Sequence, residues 1–347
     1  MDHDRGEIYF IREQLVGGYS EFTKIGLVRE KEGRSSADRA KEHQTGNPRP
    51  LVPLEVIPTV FVSEVENTLH REFASRRILP GEWFRLDDQA LQQAISRCET
   101  LAAAYGASIP MFEEAERLKG LPSSADLLPA SKEAQSWWST HRCLSYGLKQ
   151  ISNVFTSYKA FLVDAKARGV NVEDYVQISA PASRLTFDKA LFQKNYAEIV
   201  QSFTVTVTKV NDKFSVMPVK GENFSTDERI AEAVKTTAEL AASITQADES
   251  RQALDAMHQL YLTLIGWQPS LKKQVEIAEA NLKALCGTNA GIENVCNWPR
   301  VEEAASETDW DAIKAAHPTE RASCTRMSTP SPTVVVNKGT GAESDEA

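Results

Sequence analysis

Glu7-Ile-Tyr-Phe-Ile-Arg12, Gly17-Gly18 and Phe22-Thr-Lys-Ile-Gly-Leu-Val28 form the stretch on which the fold of this chain turns. The two outer runs are rich in β-branched and aromatic residues, which suit a pleated surface, and the paired glycines accept the positive backbone angles of a tight connection. This pattern predicts a β-hairpin.

Downstream of the hairpin, a polar helix is expected near residues 36–45, then a β-rich run over 51–61. Pro50, Pro53 and Pro58 cannot donate to a ladder, so parts of that run belong at an edge or in irregular strand. A second helix is expected to begin at Ser63. From Asp87 the pattern turns helical, with Asp87 or Asp88 as cap and Leu91, Ile95 and Leu101 on one apolar face. The expected division is therefore an N-terminal domain over 1–86, a mainly helical region over 87–325, and a tail over 326–347. The tail is rich in Ser, Thr, Pro and Gly and buries too little apolar area to offset its ordering entropy, so it is expected to be disordered.

Leu144, Leu148, Ile151, Phe155, Tyr158, Leu162 and Ala165 recur at steps of four and three, which predicts a long helix over about 131–168. Residues 226–266 and 271–286 repeat the habit, and Pro269 is expected to separate two helices of an antiparallel hairpin. A seam of this length serves either an internal hairpin or a homodimer through the helical region. Ser202-Phe-Thr-Val-Thr-Val-Thr-Lys-Val210 and Lys213-Phe-Ser-Val-Met217, joined by Asn211-Asp212, read as a small β-hairpin. The expected fold class is α+β, a small three-stranded antiparallel sheet with flanking helices followed by the mainly helical region.

With 347 residues, 41% hydrophobic and 25% charged, the composition is that of a globular protein and excludes collagenous or mucin-like chains. No stretch approaches the roughly 18 apolar residues of a membrane helix, and Met1-Asp-His-Asp-Arg5 lacks the pattern of a signal peptide, so a cytoplasmic location away from membranes is expected. Cys98, Cys143, Cys286, Cys296 and Cys324 are odd in number and widely spaced, and read as reduced thiols. The net charge of −9 disfavours phosphate contacts, but only −1 of it falls in residues 1–86 and −8 in the remainder. Arg34, Arg39, Lys41, Arg49, Arg71, Arg76 and Arg77 of the first domain either form a basic face or pair with Glu30, Glu32, Glu42 and Glu72.

That domain also carries polar residues a bland hairpin-plus-helix module does not need. Tyr9 lies in the first strand and Lys24-Ile-Gly26 in the second; Arg39 and His43 share one helix face, Glu66 and His70 another, and Gly81-Glu-Trp-Phe84 follows. In this order and spacing, residues 6–86 resemble the GIY-YIG nuclease superfamily, specifically its phage-type Orf DNA-binding branch. The resemblance implies a metal-dependent endonuclease that hydrolyses DNA phosphodiester bonds, phage-related or acting on foreign DNA. It also implies that Tyr9 helps activate the attacking water, Arg39 stabilises charge on the phosphate, and Glu66 holds a single Mg²⁺ or Mn²⁺. Such roles suit a transition state that gathers negative charge, and one carboxylate suffices because Mg²⁺ keeps several waters and takes phosphate oxygen.

Lys24 stands where most members of the superfamily carry a second tyrosine, so it either polarises the tyrosine or water, or contacts phosphate as a point charge. The general base stays open among Tyr9, His43 and His70. A DNA-binding protein that uses the same scaffold without cutting is the alternative. Each residue has a plainer role beside the catalytic one. Ser63-Glu-Val-Glu66 fits a capping box, Tyr9 fits strand packing, Arg39 fits a solvated helix face, and His70 fits a packed ring.

Overall fold

The hairpin residues form two long strands, β1 (Gly6–Leu15) and β2 (Gly18–Arg29), in a computed structural model that describes residues 3–45, 47–78, 81–179, 182–218, 235, 251–329 and 333–337. Gly17, at φ +90°, makes the turn between them. β3 (Leu51–Thr59) pairs with the free side of β1, and two short strands, β4 (Arg77–Ile78) and β5 (Trp83–Arg85), extend the sheet beyond β2. The expected three strands are thus the larger part of a five-stranded antiparallel sheet ordered β3-β1-β2-β5-β4.

Alternation along the strands sends two sets of side chains to opposite faces. Tyr9, Ile11 and Val28 pack with Ala40 of helix α1 (Ser36–Gln44) on one face. Ile8, Phe10, Ile25 and Phe84 pack on the other against α2 (Val62–Glu72) and α3 (Asp88–Lys119). Asp87 caps α3 by accepting from the Ala90 amide at 2.8 Å. Because Leu91, Ala94, Ile95, Cys98 and Leu101 lie in the same core as the sheet, that core runs past Leu86 into α3. The buried Arg12 fastens the junction, reaching Thr23 Oγ1 at 2.9 Å, the Leu86 carbonyl at 2.6 Å and Asp88 at 2.7 Å.

Helix α2 starts at Val62, one residue before the expected Ser63, and its end is closed from outside. The Asp4 carbonyl accepts from the Val62 amide at 2.9 Å, and the Asp4 carboxylate from the Ser63 amide at 3.1 Å. Ser63 is therefore inside the helix with its hydroxyl on Asp4, and the capping-box role for Glu66 is absent.

In the helical region, Ser131 caps α4 (Lys132–Ala167), whose seam residues pack against the long helix Arg251–Cys286. Three expectations are corrected here. Pro269 does not separate two helices but lies inside Arg251–Cys286. A proline removes one ladder bond, and here the buried flanking turns hold the helix together while the Arg71 guanidinium donates to the Gly266 carbonyl at 2.6 Å. Of the helix expected over 226–266, residues 226–234 and 236–250 lie outside the described residues.

The Ser202–Met217 hairpin is replaced by two separate pairings. Thr204–Asp212 runs antiparallel to Arg300–Thr308, and Ser215–Val216 pairs with Cys296–Asn297. A nine-residue strand finds a full-length partner in Arg300–Thr308, where the local turn offered only the short run after Asp212. The tail expected to be disordered from residue 326 instead contributes strands, with Thr325–Ser328 on Arg184–Phe187 and Thr333–Val336 on Val176–Ser179. Existing strand edges supply the backbone partners that its composition alone lacked. Residues 338–347 lie outside the described residues. Among the described residues, no helix is long and apolar enough to cross a membrane.

Candidate functional site

Tyr9 and Gly26 face each other across β1 and β2, and the site is built on that pairing. A Cβ on Gly26 would sit 2.4 Å from the Tyr9 hydroxyl oxygen and 2.6 Å from Cζ, so only glycine lets the ring cross the neighbouring strand. The phenol is carried toward α1, where its oxygen lies 3.3 Å from His43 Nε2. Burial pushes Tyr9 up to about 12; the Arg39 guanidinium works against that rise, and the carboxylates of Glu82 and Glu66 add to it. His43 moves the other way, its proton affinity lowered by burial and then by Lys24 and Arg39. It is therefore neutral near pH 7, and its tautomer with a bare Nε2 can accept from the Tyr9 hydroxyl.

The second part of the site forms where β5 stops. Its pairing with β2 spans only Phe22–Lys24, so Ile25 turns its amide and carbonyl toward an edge without a strand. The Glu82 carbonyl accepts from the Ile25 amide at 3.2 Å, and His70 Nε2 lies 2.9 Å from the Ile25 carbonyl. A carbonyl only accepts, so Nε2 carries the proton, while the ring packs 5.1 Å from Phe84. His70 is thus bound to main chain, and it pins one face of α2 along β2. Glu66, one helical turn earlier, shares that face.

Glu66 is pushed up to about 8, first by burial, then by the Glu82 carboxylate, against the pull of Arg29, Lys24 and Arg39. Lys24 Nζ lies 2.8 Å from Glu82 Oε2. Burial opposes the charge on Glu82, yet the Lys24 ammonium outweighs it and holds Glu82 below the usual carboxylate range. Arg39, partly buried, meets Glu42 at 2.9 Å and faces the Tyr9 phenol. The fold thus brings Tyr9, Lys24, Arg39, His43 and Glu66 within electrostatic reach of one another, with His70 beside them in a packing role.

Glu82 joins them, its carboxylate beside Lys24 and within electrostatic reach of Glu66. Its signal was Gly81-Glu-Trp-Phe84, which β5 sets beside Lys24.

The basic residues are less free than a continuous face requires. Arg34 pairs with Glu32 and Glu42, Arg49 with Glu13, Lys41 with Asp38 and Arg76 with Asp87. Arg71 donates to Gly266 and Thr68, Arg77 donates to the Gly81 carbonyl, and Glu72 pairs with Arg97. Exposed pairs of this kind are worth at most about 1 kcal/mol, so a phosphate can take over a guanidinium from its carboxylate.

The donor set fits a hard divalent cation of the Mg²⁺ or Mn²⁺ type in one respect. A partly buried carboxyl held protonated by burial and a neighbouring carboxylate is one whose charge a cation would restore. Among the described residues, no group of three or more His, Cys, Asp and Glu side chains has metal-binding geometry. Glu66 is the carboxylate that could hold such an ion, and a cation of this kind also takes water and phosphate oxygens.

No curated protein and no solved structure matches this chain. Residues 6–99 match the family described as the T5orf172 domain, a phage-associated nuclease-like domain whose span takes in the whole five-stranded sheet and the start of α3.

Proposed function

We propose that the N-terminal domain is a DNA endonuclease of GIY-YIG type that depends on Mg²⁺ or Mn²⁺. The observation that supports this most is the convergence of Tyr9, His43, Arg39, Lys24, Glu82 and Glu66, each shifting the proton affinity of another. His43, neutral near pH 7, is the base of a relay in which the Tyr9 oxygen takes a proton from the attacking water as its own proton passes to Nε2, so that no free phenolate forms. Arg39 lies beside that phenol and offers its guanidinium to the phosphate in exchange for Glu42. Lys24 holds Glu82 as a carboxylate next to Glu66. Glu66 would hold the divalent cation, which when bound would supply Lewis-acid stabilisation of the phosphate charge. His70 orients α2.

A non-cutting DNA-binding module is the second reading, favoured by Lys24 being engaged with Glu82 where a second tyrosine would stand. The test is nicking of supercoiled plasmid by the full chain with Mg²⁺ or Mn²⁺, by wild type, Glu66→Gln and Arg39→Ala. Nicking by wild type, lost in both folded variants, supports the nuclease. Salt-dependent DNA binding without cleavage under either metal supports the binding module, and undiminished cleavage by both variants refutes the site.

A further inference from the structure

Away from the nuclease-like site, the C-terminus of Arg251–Cys286 meets the short strand Cys296–Asn297 in a closed apolar core. Cys286 Sγ lies 3.6 Å from Cys296 Sγ, and both residues are fully buried among Leu118, Leu282, Ile292, Val295 and Trp298. Arg300 is buried beside them at 1% exposure. Its Nη2 donates to the Gly287 carbonyl at 2.7 Å and its guanidinium lies 4.1 Å from the Trp298 ring centroid. Its Nε and Nη1 make no hydrogen bond among the described residues. A buried cation with two idle donors is costly unless an anion shares its site, and the groups whose negative charge it feels are the sulfur of Cys286 and the carboxylate of Asp212, its partner across the strands.

The geometry points to Cys286, Cys296 and Arg300 as a redox-active dithiol site, oxidised to an intramolecular disulfide by a small hydroperoxide. The remaining S–H of Cys286 donates to Cys296, which lowers the proton affinity of the latter, and the Arg300 charge acts on the Cys286 sulfur, favouring its later deprotonation. Both cysteines are 0% exposed, so the peroxide reaches them through local opening of this core, and the Cys296 thiolate attacks its terminal oxygen. The S–O bond forms, the O–O bond breaks, and hydroxide leaves with Cys296 as the sulfenic acid. Cys286 gives its proton to that hydroxide and attacks the sulfenic sulfur, expelling a second hydroxide that takes up the proton first released from Cys296. The balance is two thiols and one hydrogen peroxide to one disulfide and two waters. The new bond ties the end of the long helix to the strand that pairs with Ser215–Val216.

The test treats the full chain with hydrogen peroxide, alkylates after unfolding, and maps peptides without reduction. The expected result is a fall from five titratable thiols to three, with the Cys286 and Cys296 peptides joined and Cys98 and Cys324 still alkylated. Cys286→Ser is expected to leave a sulfenic acid on Cys296 that a cyclic dione probe captures. Arg300→Gln, checked for native circular dichroism, is expected to slow disulfide formation by about tenfold or more, and Arg300→Lys by less. Oxidation confined to Cys143, a pair that stays reduced, or sulfinic acid without a joined peptide would each overturn the proposal.

Discussion

The Tyr9 hydroxyl and His43 Nε2, 34 residues apart in sequence, lie 3.3 Å from each other across the gap between β1 and α1. The contact exists because Gly26 leaves the phenol a passage over β2, and burial shifts the two groups in opposite directions. The tyrosine is held protonated and the histidine unprotonated.

Proton transfer through this pair predicts a pH dependence with a definite sign. His43 must be neutral to accept, and its value lies below the ordinary 6.5. Nicking is expected to rise as pH increases through that lowered value and to level off by neutrality. Initial rates from pH 5 to 8 check this, and His43→Gln is expected to lose the acidic limb together with about a hundredfold in rate.

Glu66 predicts opposite effects on stability and activity. Its folded value of about 8 lies above the unfolded 4.5, so the folded chain binds the extra proton between them. The associated stability is present below the unfolded value and is lost as pH rises through the folded one. Glu66→Gln is expected to gain on the order of 1–3 kcal/mol in urea denaturation at pH 8 while losing cleavage. Mg²⁺ is expected to raise the melting temperature of the wild type at pH 8 and not that of the variant.

Gly26→Ala tests the passage. The added methyl would press on the Tyr9 ring, where neither the buried phenol nor the paired strand has room to shift, and a loss of about 1–3 kcal/mol with little remaining activity is expected. Gly106→Ala, on the open side of α3, has no atom within 4 Å and is expected to gain about 0.5–1 kcal/mol. Equal melting temperatures for the two variants would contradict this reading of the site.

Arg71 tests the bond between the N-terminal domain and the helical region. Its guanidinium reaches the Gly266 carbonyl on the turn before Pro269. Arg71→Met is expected to cost about 1.5–3 kcal/mol, the worth of a hydrogen bond from a charged donor, and to speed amide exchange near Gly266. Exchange unchanged in that turn would show that the helix does not rely on the contact.

The parts legible in the sequence were those whose signals are local. Alternation and paired glycines marked β1 and β2, Asp87 or Asp88 marked the start of α3, and steps of three and four marked the α4 seam. Each is decided within a few residues by backbone sterics or by one side chain on a nearby amide. The motif residues Tyr9, Lys24, Arg39 and Glu66 were legible as a set, but their protonation was not, since it depends on burial and on Glu82. Tertiary structure alone decided the pairing of Thr204–Asp212 with Arg300–Thr308, the passage of a helix through Pro269, and the strands after residue 325. It also decided the meeting of Cys286 with Cys296. Strand edges, buried carbonyls and desolvated charges are satisfied by whichever group the fold brings near, and the nearest group in space is seldom the nearest in sequence.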